Sequence, residues 1–118
     1  MARIAPEIVR QRLVIEGYFN RKVAKTDVEK YLKGVAKHLN LRTYGKAAVF
    51  SPSGIGKSIN QGFDAFLPLI DSGISLYVWG NAKFFSAVIY TCKKFDNSAA
   101  IKYTKKFFRT NKVAVTSF

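Results

Sequence analysis

The sequence predicts an α+β two-layer sandwich, a mostly antiparallel sheet with two helices on one face. Three observations carry that expectation. Two stretches place apolar residues at helical spacing, Val28, Leu32, Val35, Ala36 and Leu39 in one and Ala100, Ile101, Thr104, Phe107 and Phe108 in the other. Several runs rich in β-branched and aromatic residues are bounded by Gly, Asn, Asp and Ser turn signals. Their order along the chain, β-α-β-β-β-β-α-β, leaves two helices for one sheet, and both can cover the same face. At 118 residues and 13.3 kDa, with 48% apolar residues, the chain reads as one domain over 1–118 with a single core. No repeat or linker interrupts it.

Residues 1–10 read as a loose arm or short helical lead. Residues 11–19 (Q-R-L-V-I-E-G-Y-F) alternate Leu13 and Ile15 with Val14 and Glu16, a strand with one face wet. Thr26-Asp27-Val28-Glu29 fits a capping box with Thr26 as cap, opening a helix to about residue 40. Lys30, Lys33 and Lys37 take its outer face, and His38 falls near its end, where the helix dipole favours a cation. A second strand is expected over 42–50, then a Gly/Ser loop over 51–62. Residues 63–70 are mostly apolar, but Pro68 points to an edge or irregular strand. Asp71-Ser72-Gly73 reads as a turn, 74–79 as a strand, Gly80-Asn81 as another turn and 84–92 as a longer strand. Asn97 or Ser98 caps a second helix to about residue 109, and 112–118 (K-V-A-V-T-S-F) closes as a last strand.

Composition narrows the chemistry. Cys92 is the single cysteine, so an internal disulfide is excluded and a reducing cytoplasm is the expected compartment. His38 is the single histidine, which argues against a His/Cys metal site, and no metal is expected. No apolar run approaches the roughly 18 residues of a membrane span, and the N-terminus lacks the apolar core of a signal peptide. Twenty Lys+Arg against seven Asp+Glu give a net charge of +13. Such a balance admits nucleic acid as a partner, although the lysines are scattered, as on an ordinary solvated surface.

The loop S-P-S-G-I-G-K-S (51–58) ends like a phosphate-binding loop, but the leading glycine of G-x-x-x-x-G-K-[ST] is Ser51. It is read as a flexible loop.

The residues best able to do chemistry gather in 71–92: Asp71, Ser72, Tyr77, Trp79 and Cys92. D-S-G-I-S-L-Y-V-W-G-N followed by V-I-Y-T-C resembles the short bacterial and archaeal S-adenosylmethionine decarboxylases. Their pattern runs E-S-H-x-S-x-H-T-[WY]-P-E, then a strand ending D-[IV]-x-x-C at the same spacing. L-V-I-E-G-Y-F and V-F-S-P-S-G resemble that family's first strand and its S-P-x-G turn, so the likeness spans nearly the whole chain.

The resemblance implies specific roles. The family serine cleaves its own chain and becomes a pyruvoyl group, the electron sink for decarboxylation. Ser72 holds that position, with Asp71 before it in place of Glu, and Cys92 matches the proton-donating cysteine. Phe50 matches the aromatic that helps hold the adenine, while Asn81 replaces the family's acid. The histidine after the serine is Gly73, and the histidine five residues on is Tyr77. A serine hydroxyl is a poor nucleophile without an adjacent base, so no pyruvoyl cofactor is expected from Ser72.

The expected function is S-adenosylmethionine binding or cleavage without that group. Its favoured form is a lyase giving methylthioadenosine and a lactone, with Asp71, Ser72 and Tyr77 orienting the amino-acid end. Phe50, Tyr77 and Trp79 would offer aromatic faces to the sulfonium cation. The alternatives are the ancestral pyruvoyl-dependent decarboxylase of polyamine synthesis, a non-catalytic regulator, and a basic nucleic-acid-binding protein. The family's habit and an apolar sheet edge imply a homo-oligomer, a dimer.

Overall fold

The computed structural model describes residues 4–118; residues 1–3 of the expected N-terminal arm lie outside them. Nine elements follow one another: β1 (Gln11–Tyr18), α1 (Lys25–His38), β2 (Ala48–Phe50), a 3-10 turn (Ser58–Asn60), β3 (Gly62–Leu69), β4 (Ser72–Trp79), β5 (Phe84–Thr91), α2 (Asn97–Phe108) and β6 (Val113–Ser117). The strands form one antiparallel sheet in the order β2-β3-β4-β5-β1-β6. Helix α1 packs over β2–β4 and α2 over β1, so the two-layer α+β sandwich is the fold.

Both helices bury the expected stripes. Val28, Leu32, Val35 and Ala36 are fully buried and Leu39 nearly so, and Tyr31 joins them. From α2, Ala100, Thr104 and Phe108 are buried, while Ile101 and Phe107 are only partly covered. They meet Leu13, Ile15, Leu67, Ile74, Leu76, Phe85 and Ile89 from one face of the sheet. The Phe85 and Phe108 rings stack at 3.9 Å and 11°. Tyr31 Oη and Thr104 Oγ1 share a buried hydrogen bond of 2.7 Å between the helices, and Thr104 Oγ1 also donates to the Ala100 carbonyl at 2.8 Å. Burial pushes the Tyr31 hydroxyl pKa up, against a smaller opposing effect of the Thr104 bond.

Local chemistry moves several boundaries. The cap of α1 is Ala24, not Thr26, and the reaching acid is Asp27, whose Oδ2 accepts the Ala24 N–H at 2.8 Å. Arg21 holds the other Asp27 oxygen at 2.8 Å, fixing the acid in that role. Helix α2 is capped one residue earlier than expected: Asp96 accepts from the Ser98 and Ala99 amides at 2.9 and 3.4 Å.

The strand expected over 42–50 survives only as Ala48–Phe50 plus a single bridge, Thr43 to Leu69. Gly45, at φ +125, breaks the extended run between them. Conversely β3 is an interior strand despite Pro68. The Pro68 carbonyl accepts from Tyr44 N–H at 3.2 Å, so the missing Pro N–H faces that same side, where β2 has already ended.

Candidate functional site

The uncovered face of the sheet is set by strand parity. Residues that alternate with the buried set point away from the helices: Phe50 on β2, Asp64 and Phe66 on β3, Tyr77 and Trp79 on β4, Ser86 and Tyr90 on β5, Glu16 and Tyr18 on β1. Alternation would ordinarily make such a face polar. Here Phe50 (68% exposed), Phe66 (44%), Tyr77 (37%) and Tyr90 (41%) are large rings open to solvent.

A row crosses the middle of this face. Phe50 pairs with Asp64, Asp64 with Tyr77, Tyr77 with Ser86 and Ser86 with Glu16. Ser86 Oγ donates to Glu16 Oε2 at 2.8 Å. Directly opposed residues hold their Cβ atoms about 5 Å apart, so the Phe50 ring, the Asp64 carboxylate and the Tyr77 ring are neighbours.

One row further along, Trp79 packs on Phe84 (5.5 Å) and Tyr18 on Phe84 (5.3 Å). These rings line a hollow of about 290 Å³ closed by Ile59 and Asn60. Asn81 is not free at its rim: its amide donates to the Ser58 carbonyl at 2.6 Å and ties the turn to the 51–61 loop. Gln61 staples the same loop from within. Its side chain accepts the Gly54 N–H at 2.7 Å and donates to the Ile55 and Lys57 carbonyls at 3.0 and 3.2 Å. The loop's backbone is thus engaged by its own side chains.

The second cluster lies at the other end of β4. The hairpin turn is Ile70-Asp71 alone, because Leu69 already pairs with Ser72; Gly73 belongs to the strand, a shift from the expected three-residue turn. The Cys92 N–H donates to the Asp71 carbonyl at 2.8 Å, so Asp71, Ser72 and Cys92 are brought together, with the Cys92 side chain exposed. The Asp71 side chain is 10% exposed. Its Oδ1 meets Arg42 Nη2 at 3.4 Å, and its Oδ2 is buried without a hydrogen-bond partner. Ser72 sits at φ +134, a conformation that disfavours every residue but glycine.

Gly73 is buried on the open face beneath the Phe66 ring. A Cβ there would come within 2.5 Å of two of its ring carbons. Phe66 is the site residue that sequence reasoning missed. Its position opposite Ser75, one step from Gly73, becomes legible only once the β3–β4 register is known.

Tyr77 does not join the Ser72 cluster within one chain. Five residues of extended strand separate them by about 16 Å, and they fall on opposite parity. His38 is in the other layer, its ring 5.3 Å from that of Tyr103. Among the described residues no three His, Cys, Asp or Glu side chains group as a metal site, and no helix is long and apolar enough to cross a membrane.

A family model described as S-adenosylmethionine decarboxylase matches residues 13–118. Among solved structures, the chain is similar to the crystal structure of the adenosylmethionine decarboxylase from Aquifex aeolicus VF5. The TM-score is 0.71 and the identity 18%, over 94% of this chain and 89% of that one. No curated protein matches the chain.

Proposed function

The chain belongs to the S-adenosylmethionine decarboxylase family, and we propose that it binds S-adenosylmethionine and cleaves it as a lyase, without a pyruvoyl group. The observation that carries this reading is the Phe66 ring seated over Gly73. Where the resemblance implies an imidazole beside the serine, this chain has a glycine whose space is taken by an aromatic ring. Tyr77 stands at the other histidine position, and the one imidazole, His38, packs on Tyr103 in the helix layer.

A pyruvoyl group would supply an electron sink for decarboxylation. The residues around Ser72 do not fit its formation, since none of the groups described beside it is an imidazole base.

Lyase cleavage asks less of the protein. The substrate carboxylate attacks its own γ-carbon, the C–S bond breaks, and the bonding pair returns to sulfur. The products are neutral methylthioadenosine and a lactone that keeps the α-ammonium charge, so no proton, metal or external nucleophile is consumed. The protein's part is to hold carboxylate and γ-carbon in line and to favour loss of the sulfonium charge.

The open face suits that cation. Its strands carry one cation, Arg12, against Glu16 and Asp64. Phe50 and Tyr77 flank Asp64, and Trp79 lies one row on. An aromatic face attracts a cation by about 0.5–2 kcal/mol. Asp71 and Ser72 would orient the amino-acid end and Cys92 would line it.

Tyr77 lies about 16 Å along β4 from Ser72, so one chain cannot put both on one small molecule. Two copies packed open face to open face about a two-fold axis would bring one chain's Ser72 end toward its partner's middle row. The exposed rings give such a dimer its apolar surface. The lone exposed thiol at Cys92 fits a reducing compartment, the cytoplasm.

The second reading is the pyruvoyl-dependent decarboxylase, and one observation favours it. Ser72, directly after the buried Asp71, is held at φ +134, an unfavourable backbone conformation at the position where the family chain is cleaved. Two measurements separate the readings. Intact-mass spectrometry yields an unbroken 13.3 kDa chain for the lyase and two fragments split before Ser72 for the decarboxylase. Ser72→Ala reduces lyase turnover about tenfold, the loss of one charge-assisted hydrogen bond, whereas it abolishes decarboxylation.

A further inference from the structure

The cations of this chain are sorted between its two layers. Segments 21–42 and 93–112, which build the helices and their ends, hold fourteen of the twenty Lys and Arg and three of the seven acids. Two of those acids are already engaged: Asp27 holds Arg21 and the Ala24 amide, and Asp96 caps α2. Glu29 is the remaining one. No lysine of either helix makes an ion pair among the described residues.

The helix layer also has relief. A groove of about 530 Å³ runs between α1 and α2, lined by His38, Lys102, Tyr103, Lys106 and Phe107. Beside it along α1 lies a hollow of about 460 Å³ lined by Lys30, Lys33 and Lys37, with Glu29 as its one acid. Tyr103 of the groove and Gly34 of the hollow are in contact: the Tyr103 hydroxyl lies over Gly34, so closely that a Cβ there would fall 1.8 Å from it. At the other side Lys102 and Lys106 are shared with a hollow of about 350 Å³ that also takes in Lys105, Arg109, Thr110 and Asn111. The floor of this basic track is aromatic: the His38 and Tyr103 rings lie 5.3 Å apart at 33°, and Phe107 is 6.3 Å beyond Tyr103.

We propose that this helix-layer track binds single-stranded nucleic acid, its lysines following the phosphates and the His38–Tyr103 rings taking a base. Cations along a groove with rings in its floor are the general requirements for strand binding. An anionic membrane is the less favoured partner, because interfacial helices insert large apolar side chains. Every exposed large hydrophobic residue of the described chain lies outside α1 and α2. The site is on the layer opposite the open face, so it stands whether or not the chain cleaves S-adenosylmethionine.

The test is fluorescence anisotropy of a labelled single-stranded RNA oligomer across a salt series. The proposal predicts binding at low salt with log Kobs falling against log salt at a slope of about −3, the release expected for roughly four phosphates at about 0.7 each. Lys33→Glu with Lys37→Glu, and separately Lys102→Glu with Lys106→Glu, each weaken it tenfold or more. Lys46→Glu with Lys57→Glu, outside the track, changes it less than twofold. All six side chains are exposed, and circular dichroism verifies that each variant folds. Absence of binding at low salt overturns the proposal. So does equal loss from the Lys46/Lys57 pair, tighter binding of the matched duplex, or preference for phosphatidylserine vesicles over the RNA.

Discussion

Along β5 the inward positions are Phe85, Ala87 and Ile89, each fully buried beneath the helices. The outward positions of the same strand are Phe84, Ser86, Val88 and Tyr90, with neither helix over them. Both sides carry large rings, yet only one side has partners for them. On the inner side a ring is held by stacking and close packing, as Phe85 is on Phe108. On the outer side a ring rests on its cross-strand neighbour and leaves much of its surface to water. Charge divides in the opposite sense: the strands are almost without cations, and the helix layer holds most of them. One sheet thus separates a lysine-coated layer from an aromatic, slightly acidic face, and a net charge of +13 need not repel a cationic ligand from that face.

Substitutions on the two sides should therefore differ most in stability. Phe85→Ala, which opens a cavity under α2, is expected to cost about 4 kcal/mol. Phe50→Ala, whose ring is left open within one chain, is expected to cost the monomer less than about 0.5 kcal/mol, measured at a protein concentration too low for dimerisation. Urea denaturation measures both. Similar losses would mean that the outward rings are packed as tightly as the core.

A smaller effect sharpens the comparison at Gly73. Gly73→His restores the imidazole that the resemblance implies but drives it into the Phe66 ring, costing about 2 kcal/mol. Phe66→Ala in the same chain removes the obstacle. A double-mutant cycle should return a coupling of about 1 kcal/mol in favour of the pair. Additive losses would contradict the ring-over-glycine contact.

Smaller again is the bond joining the helices. Tyr31→Phe is expected to cost about 1 kcal/mol, because Thr104 keeps its bond to the Ala100 carbonyl. The folded state holds the buried Tyr31 hydroxyl pKa above its unfolded value of about 10. The unfolded chain therefore loses that proton first, and stability falls as pH rises past about 10. Thermal melts of Tyr31→Phe should decline less steeply with pH in that range than those of the native chain. Tyr103, also raised by burial, retains part of the slope. Parallel declines would show that Tyr31 does not govern alkaline stability.

The inner side of the sandwich was legible because its signals are local. Val28 to Leu39 repeats at helical spacing, and Leu13 and Ile15 alternate within their own strand. Strand existence was equally plain, and the sheet order leaves every neighbouring pair antiparallel. What was not legible depends on register or on distant partners. Pro68 looked like an edge marker, and only the early end of β2 makes it harmless inside the sheet. Gly73 fits a turn by its sequence neighbours, and only the β3–β4 register puts Phe66 above it. Asn81 read as a ligand position, and its bond to the Ser58 carbonyl spans 23 residues of sequence. Asp71, Ser72 and Cys92, grouped in the sequence by the resemblance, lie close together because of a two-residue hairpin turn and the β4–β5 pairing. Tyr77 belongs instead to the middle row, where strand rise puts it.

As proposed, this family fold, without the imidazoles, turns over S-adenosylmethionine through the substrate's own carboxylate. The direct measurement is incubation of the pure native chain with carboxyl-labelled S-adenosylmethionine, following methylthioadenosine, lactone and released carbon dioxide together. The account predicts equal amounts of methylthioadenosine and labelled lactone, no labelled carbon dioxide, and an intact chain afterward. Labelled carbon dioxide from a chain cleaved before Ser72, or unchanged substrate beside an active control enzyme, would contradict it.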